Sequence, residues 1–264
     1  MNYYAHTATL PDGKPDPKPE HWQFLADHLR NVAELAKKFA EPLEFAVEAE
    51  LAGLLHDLGK YSAHFQARLR NPAIHGINHW AAGTAHAAKN LKAWAVAFAA
   101  DGHHTGIPAL NENDAGLPLR TTVQKFDDKI NRLELTGQCP ESLDELIARL
   151  AQDGLKLPPF SPSNIQDKFA EAFRSRMLFS CLVDADFLDT EKHFNPEQDK
   201  QRIAPNLQPE RALEILKKHL AAKSSTGPVN ALRKQLLNDC LDAAKKLPGL
   251  FTLTAPTGSG KTLS

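Results

Sequence analysis

The sequence predicts an all-helical fold. Apolar residues recur at three- and four-residue steps along most of the chain, as on the buried stripe of a helix. Proline, glycine and acidic turn residues punctuate those stretches. Only the last few residues read as a strand. With 264 residues and 42% hydrophobic side chains, the chain can bury a sizeable core, and one large domain with a small appendage fits better than two equal ones.

Taken in order, the Pro-, Asp-, Gly- and Lys-rich stretch through Pro19 reads as an irregular arm. Over residues 22–39 a stripe of Trp22, Leu25, Leu29, Val32, Leu35, Ala36 and Phe39 predicts a half-buried helix. Glu41-Pro42 ends it, because proline disfavours helical backbone in the residue before it. A second helix is expected over 43–58, closed by Gly59 in the left-handed conformation. A third covers alanine-rich 79–100, with Asp101-Gly102 as the break and His103-His104 at its exit. Residues 105–119 read as a surface loop, followed by amphipathic stretches at 121–135 and 142–150. A long helix over 165–188 carries Phe169, Phe173, Met177, Cys181, Val183 and Asp184 and is expected to cross the core. After a Pro- and Asn-rich link at 195–209, helices are expected at 210–222 and 229–246. Residues 251–253 then read as a strand running into APTGSGKT, residues 255–262. This organisation divides the chain into 1–222 and 223–264.

Lys+Arg 31 against Asp+Glu 32 leaves a formal net charge of -1, so nothing attracts a polyanion globally and any nucleic acid must meet a local strip. Candidate strips are Arg68 with Arg70, Lys125 with Lys129 and Arg132, and Arg174 with Arg176. Cys139, Cys181 and Cys240 show none of the close pairings of zinc ribbons or redox motifs. The longest apolar run, 93–100, is too short for a membrane span, and the start lacks a signal-peptide layout. A cytoplasmic, monomeric protein without membrane attachment is the expectation.

Histidine is the unusual residue. Of the 12 in the chain, nine fall between His21 and His104, interleaved with Ala, Leu and Gly, which points to a metal site. Imidazole and carboxylate together suit first-row transition metals. His56-Asp57 is informative because neighbours on a helix point about 100° apart, so one turn presents two ligands. An Asp can bridge two cations with its two oxygens, and a pair at ~3.5–4 Å would clamp a scissile phosphate and generate a nucleophile near neutral pH.

The order His28, His56-Asp57 and a later Asp resembles the HD phosphohydrolase superfamily, which implies His28, His56, Asp57 and Asp184 as ligands of one metal. The segments HDLGKYSAHFQARL, INHWAAGTAHA, GHHTGIP and SCLVDADFLDTE narrow the resemblance to the HD nuclease domain of the CRISPR-associated helicase-nuclease of type I systems, over nearly the whole chain. That family implies a second metal on His79, His103 and His104, with Asp57 as the bridge. His79 is preferred over His86 because it matches the H-x-x-x-G spacing before Gly83. Of Asp184 and Asp186 only one can face the site, and the family match favours Asp184. Lys60 could swing over the metals to neutralise phosphate. His6, His21, His64, His75, His193 and His219 receive no role.

APTGSGKT matches the phosphate-binding loop apart from Ala255 at the first position. It resembles the first motif of a superfamily 2 helicase, implying Gly258, Gly260, Lys261 and Thr262 as nucleotide-binding residues for ATP and magnesium. Because the chain is expected to break off just after that motif, neither ATP hydrolysis nor unwinding is expected of it. The resemblance implies a metal-dependent deoxyribonuclease acting on single-stranded DNA with two divalent ions (Ni, Co, Mn, Fe or Zn), beside a guide-RNA surveillance complex of the Cascade type. The rivals are a nucleotide or cyclic-dinucleotide phosphohydrolase of the same superfamily and a catalytically silent docking module.

Overall fold

The computed structural model describes residues 2–10, 12–111, 118–162, 167–202, 208–223, 227–247 and 249–259. They form two units, Met1–Arg202 and Ile203–Ser264, and the fold is all-α. In the first unit, α1 (Leu25–Ala40), α2 (Ala46–Leu55), α5 (Trp94–Gly102) and α9 (Lys168–Phe194) enclose the main core. Around them lie α3 (Ala63–Arg70), α4 (Ala81–Lys89), α6 (Leu119–Lys125), α7 (Lys129–Thr136), α8 (Leu143–Gln152) and α10 (Pro196–Gln201). Leu25, Leu29, Val32 and Ala36 of α1 are buried against Leu51, Leu55 and Leu182, and this apolar burial supplies most of the drive for helices that would be marginal alone.

Small residues let the helices approach closely. A Cβ added at Gly83 of α4 would lie 1.7 Å from the carbonyl oxygen of Leu55, and one at Gly53 of α2 would lie 2.4 Å from the Cα of Ala33 in α1. The ends of α2 and α4 are thereby brought together, and both lead into the site described below. Ser142 begins α8 with a reciprocal cap, its hydroxyl accepting from Glu145 N–H while the Glu145 carboxylate accepts from Ser142 N–H, as the capping-box pattern requires.

The arm before α1 is ordered, against the expectation of an irregular stretch. β1 (Tyr4–His6) pairs antiparallel with β4 (Gln23–Phe24), and β2 (Ala8–Thr9) with β3 (Pro15–Asp16); the Trp22 indole donates to Asp16 O at 2.7 Å and closes the arm on itself. The expected 79–100 helix is two helices. Lys92 takes φ 57 and Ala93 N–H returns to Ala87 O, so the chain turns sharply between α4 and α5. The 121–135 stretch also divides, because Asp128 caps α7 by accepting from Ile130 and Asn131 N–H. Gly59 is not a left-handed cap but part of a 3-10 helix, Leu58–Tyr61. The first turns of α9 leave the core, with Phe169 88% and Phe173 66% exposed; burial begins at Leu178.

The second unit contains α11 (Pro209–Ala221) and α12 (Pro228–Ala243), neither of which buries a residue fully. Residues 251–253, expected as a strand, form none: among the described residues no segment pairs with them, and a strand exists only through its ladder. Gly258 is held at φ 83 with its carbonyl accepting from Arg233 Nη2 at 2.7 Å. Gly260, Lys261 and Thr262 lie outside the described residues. Among the described residues, no helix is long and apolar enough to cross a membrane.

Candidate metal centre

Five segments, α9 with Asp186 among them, converge at one buried point. α1 contributes His28 from the same face as Leu25 and Val32. The end of α2 contributes His56, whose N–H still closes the helix on Ala52 O, followed by Asp57 at the entry to the 3-10 helix. That 3-10 helix is tied to the segment before α4 by Gly59 N–H to His79 O at 2.9 Å. A Cβ on Gly59 would stand 2.4 Å from that oxygen, so glycine is required here by close approach and the dipeptide and His79 are fixed relative to one another. The C-terminus of α5 supplies His103 and His104.

Asp57 sits at the middle, with its two oxygens facing different partners. Oδ2 lies 3.3 Å from His28 Nε2 and 3.2 Å from His56 Nε2. Oδ1 lies 3.3 Å from His79 Nε2 and 3.6 Å from His103 Nε2. Donor atoms of His28, His56 and Asp186 lie within 4.8 Å of one another, and so do those of Asp57, His79, His103 and His104. Small rotations would bring each set to the ~2.0–2.2 Å of cation coordination by imidazole and carboxylate.

The hydrogen bonds identify which nitrogen is free. His56 Nδ1 is 2.8 Å from Gly53 O, His103 Nδ1 is 2.8 Å from Ala100 O, and His28 Nδ1 is 2.7 Å from Asp189 Oδ2. Each acceptor holds the hydrogen on Nδ1 and leaves Nε2 as the nitrogen that faces the centre. Those Nε2 atoms of His28, His56 and His103, together with Asp57 Oδ1, are buried without a hydrogen-bond partner. An unpaired buried acceptor is costly, and four of them aimed at one centre match the donor set of divalent transition ions. His79 Nε2 and His104 Nε2 stand 2.8 Å apart, so one ring carries a hydrogen there or both lone pairs share a cation.

Electrostatics favour this role. Burial holds His79 well below its ordinary value, and burial followed by the neighbouring His103 lowers His104 to about 4, so both are neutral and free to ligate. Burial opposes ionisation of Asp57, but Lys60, His56 and His79 together hold its carboxyl well below the usual range. Burial likewise opposes charge on Asp186, which His56 and His28 overcome. For His56, burial is outweighed by Asp57 and Asp186, which raise it to about 10. A cation at Nε2 must displace that proton.

One correction follows for the sequence-derived ligands. Asp184 is exposed and outside both sets, and Asp186 stands with His28 and His56 instead, its Oδ1 3.5 Å and 3.7 Å from their Nε2 atoms. Residues two apart on a helix point about 200° apart, and the buried stripe of Leu178, Leu182, Ala185 and Asp189 carries Asp186 inward and Asp184 out. That stripe was the available signal. Lys60 is buried, with Nζ 2.6 Å from Asp57 Oδ2, so it neutralises the central carboxylate. Asp189 had no expected role, yet it accepts from Gln23, His28 and Asn31 at 2.6, 2.7 and 2.7 Å. His6, also without an expected role, packs its ring edge-on against His28 at 5.0 Å. His86 lies outside both sets.

Each of the two His/Asp sets in this helical domain could hold a divalent cation. Residues 25–149 match the family model of the HD domain, so this chain carries an HD-superfamily domain, and such domains in general hydrolyse phosphate esters with divalent metals. The match contains His28, His56, Asp57, Lys60, His79, His103 and His104 and ends before α9, which supplies Asp186. No curated protein matches the chain.

Proposed function

We propose that this protein hydrolyses phosphodiester bonds in single-stranded DNA, as the nuclease of a CRISPR type I interference system. The observation that carries the reading is the division of Asp57 between two sets of imidazoles, one per oxygen. In this proposal His28, His56, Asp186 and Asp57 would hold one divalent ion (Ni, Co, Mn, Fe or Zn), and His79, His103, His104 and Asp57 a second. Bound there, such ions supply Lewis acidity toward a phosphoryl oxygen and lower the pKa of water.

The chain's own residues do the rest. His28 and His56 are fully buried while His104 is exposed, so substrate enters over the His79–His104 side and water is excluded behind it. Lys60 carries its charge on a flexible stem, which lets its ammonium pass from Asp57 to a phosphate or departing oxygen. The motif at 255–262 and the quoted HD segments support coupling to an ATP- and magnesium-dependent motor and to a Cascade-type guide-RNA complex.

The test strips the protein of metal, reloads it one metal at a time, and offers single-stranded DNA, duplex DNA, free nucleotides and cyclic dinucleotides. Cleavage of single-stranded DNA is expected, with Asp57→Ala losing both cleavage and bound metal. Hydrolysis of free or cyclic nucleotides with DNA left intact would refute the nuclease reading.

A further inference from the structure

We infer that the cleft over the His79–His104 side is a stacking pocket for one unpaired nucleobase of the strand being cut, with Trp80 as its platform. The inference rests on the nuclease reading and deepens it. The cleft, about 510 Å³, is lined by His79, His104 and Lys60 at the metal centre and also by Trp80, Phe65 and Arg68. Its volume falls in the ~300–1,000 Å³ range of sites for small ligands, enough for a nucleotide unit.

Trp80 is half-buried and held edge-to-face by the candidate ligands themselves, its ring 5.2 Å from His79 and 5.2 Å from His104. The indole is therefore rigid, and a base lying on it has its flanking phosphate beside those imidazoles. Phe65 packs against His79 at 5.2 Å. One turn further along α3, Arg68 is exposed and can reach the next phosphate. Aromatic surface interleaved with positive charge is how single strands are held without sequence preference. In a duplex the bases are paired inward and cannot reach such a wall, so the pocket itself selects unpaired DNA.

The chain has three tryptophans, so Trp22→Phe with Trp94→Phe leaves Trp80 as the sole indole. Metal-loaded protein is titrated with a short oligothymidylate whose phosphorothioate linkages resist hydrolysis. Saturable quenching of Trp80 fluorescence is expected. In the otherwise native chain, Trp80→Leu should raise the Kd roughly 5- to 150-fold, Trp80→Phe should restore most of the affinity, and Arg68→Ala should reduce the slope of log K on log salt by about 1. The Phe variant separates stacking from a packing role, and the quenching stands even if the Leu variant fails to fold. Absent quenching together with an unchanged Kd in Trp80→Leu, while DNA is still cut, overturns the pocket alone. Quenching without cleavage under any metal overturns the nuclease reading and keeps the pocket; neither signal overturns both.

Discussion

Asp189→Asn is the most informative perturbation, because it changes one charge behind the cluster and almost no volume. The Asp189 carboxylate receives hydrogen bonds from His28, Asn31 and Gln23 at 2.7, 2.7 and 2.6 Å, and its ionised form is favoured by these donors against burial. An amide keeps one acceptor oxygen and turns a donor toward the others. Replacing a charged acceptor by a neutral one costs about 1–1.5 kcal/mol for the bond to His28. If the amide nitrogen faces His28, an unsatisfied buried donor raises that to about 2–3 kcal/mol. Together the two figures bracket the ~10–100-fold loss of metal affinity usual for partners that orient a ligating imidazole, which is about 1.4–2.8 kcal/mol. Competition titration against a chromophoric chelator measures it directly, with Asp184→Asn as the control, expected to bind metal as the native chain does. Should Asp184→Asn lose metal while Asp189→Asn keeps it, the assignment of the inner face of α9 is refuted.

Three further outcomes follow from the same geometry. Lys60→Met should lower kcat on single-stranded DNA by roughly 10²–10³-fold with metal content unchanged, read by steady-state kinetics and elemental analysis; undiminished kcat would confine Lys60 to neutralising Asp57. Gly83→Ala places a methyl 1.7 Å from Leu55 O and should cost about 3 kcal/mol or more, seen as a lower midpoint in thermal denaturation and loss of metal binding, since α2 and α4 both lead into the site. His56, raised from 6.5 to about 10, should add stability to the metal-free protein that is fully present below pH 6.5 and lost as pH rises through about 10. Apparent metal affinity should rise in the opposite sense, about tenfold per pH unit for each proton displaced, and calorimetry in buffers of different ionisation enthalpy counts those protons.

Sequence alone determined the helical class and most of the cluster. Apolar periodicity marks α1, α8 and α9 because a helix must bury one stripe. The crowding of histidine between His21 and His104 pointed to a metal site, and the family resemblance, not periodicity, named His28, His56, Asp57, His79, His103 and His104. Local turns were less legible: Lys92 in a left-handed conformation splits α4 from α5, and nothing in Asn-Leu-Lys-Ala announces it.

Tertiary structure decided what depends on rotation about a helix axis and on meetings between distant segments. Whether Asp184 or Asp186 faces His28 is set by the phase of α9, which is fixed by how Leu178, Leu182 and Ala185 pack on α1 and α5. Gly59 looked like a terminator, and its reason emerged only when His79 O was found against it. The same holds for Asp189 and His28, 161 residues apart in the chain and joined by one 2.7 Å hydrogen bond. Periodicity reports that a face is buried; only packing chooses the side chains that meet there.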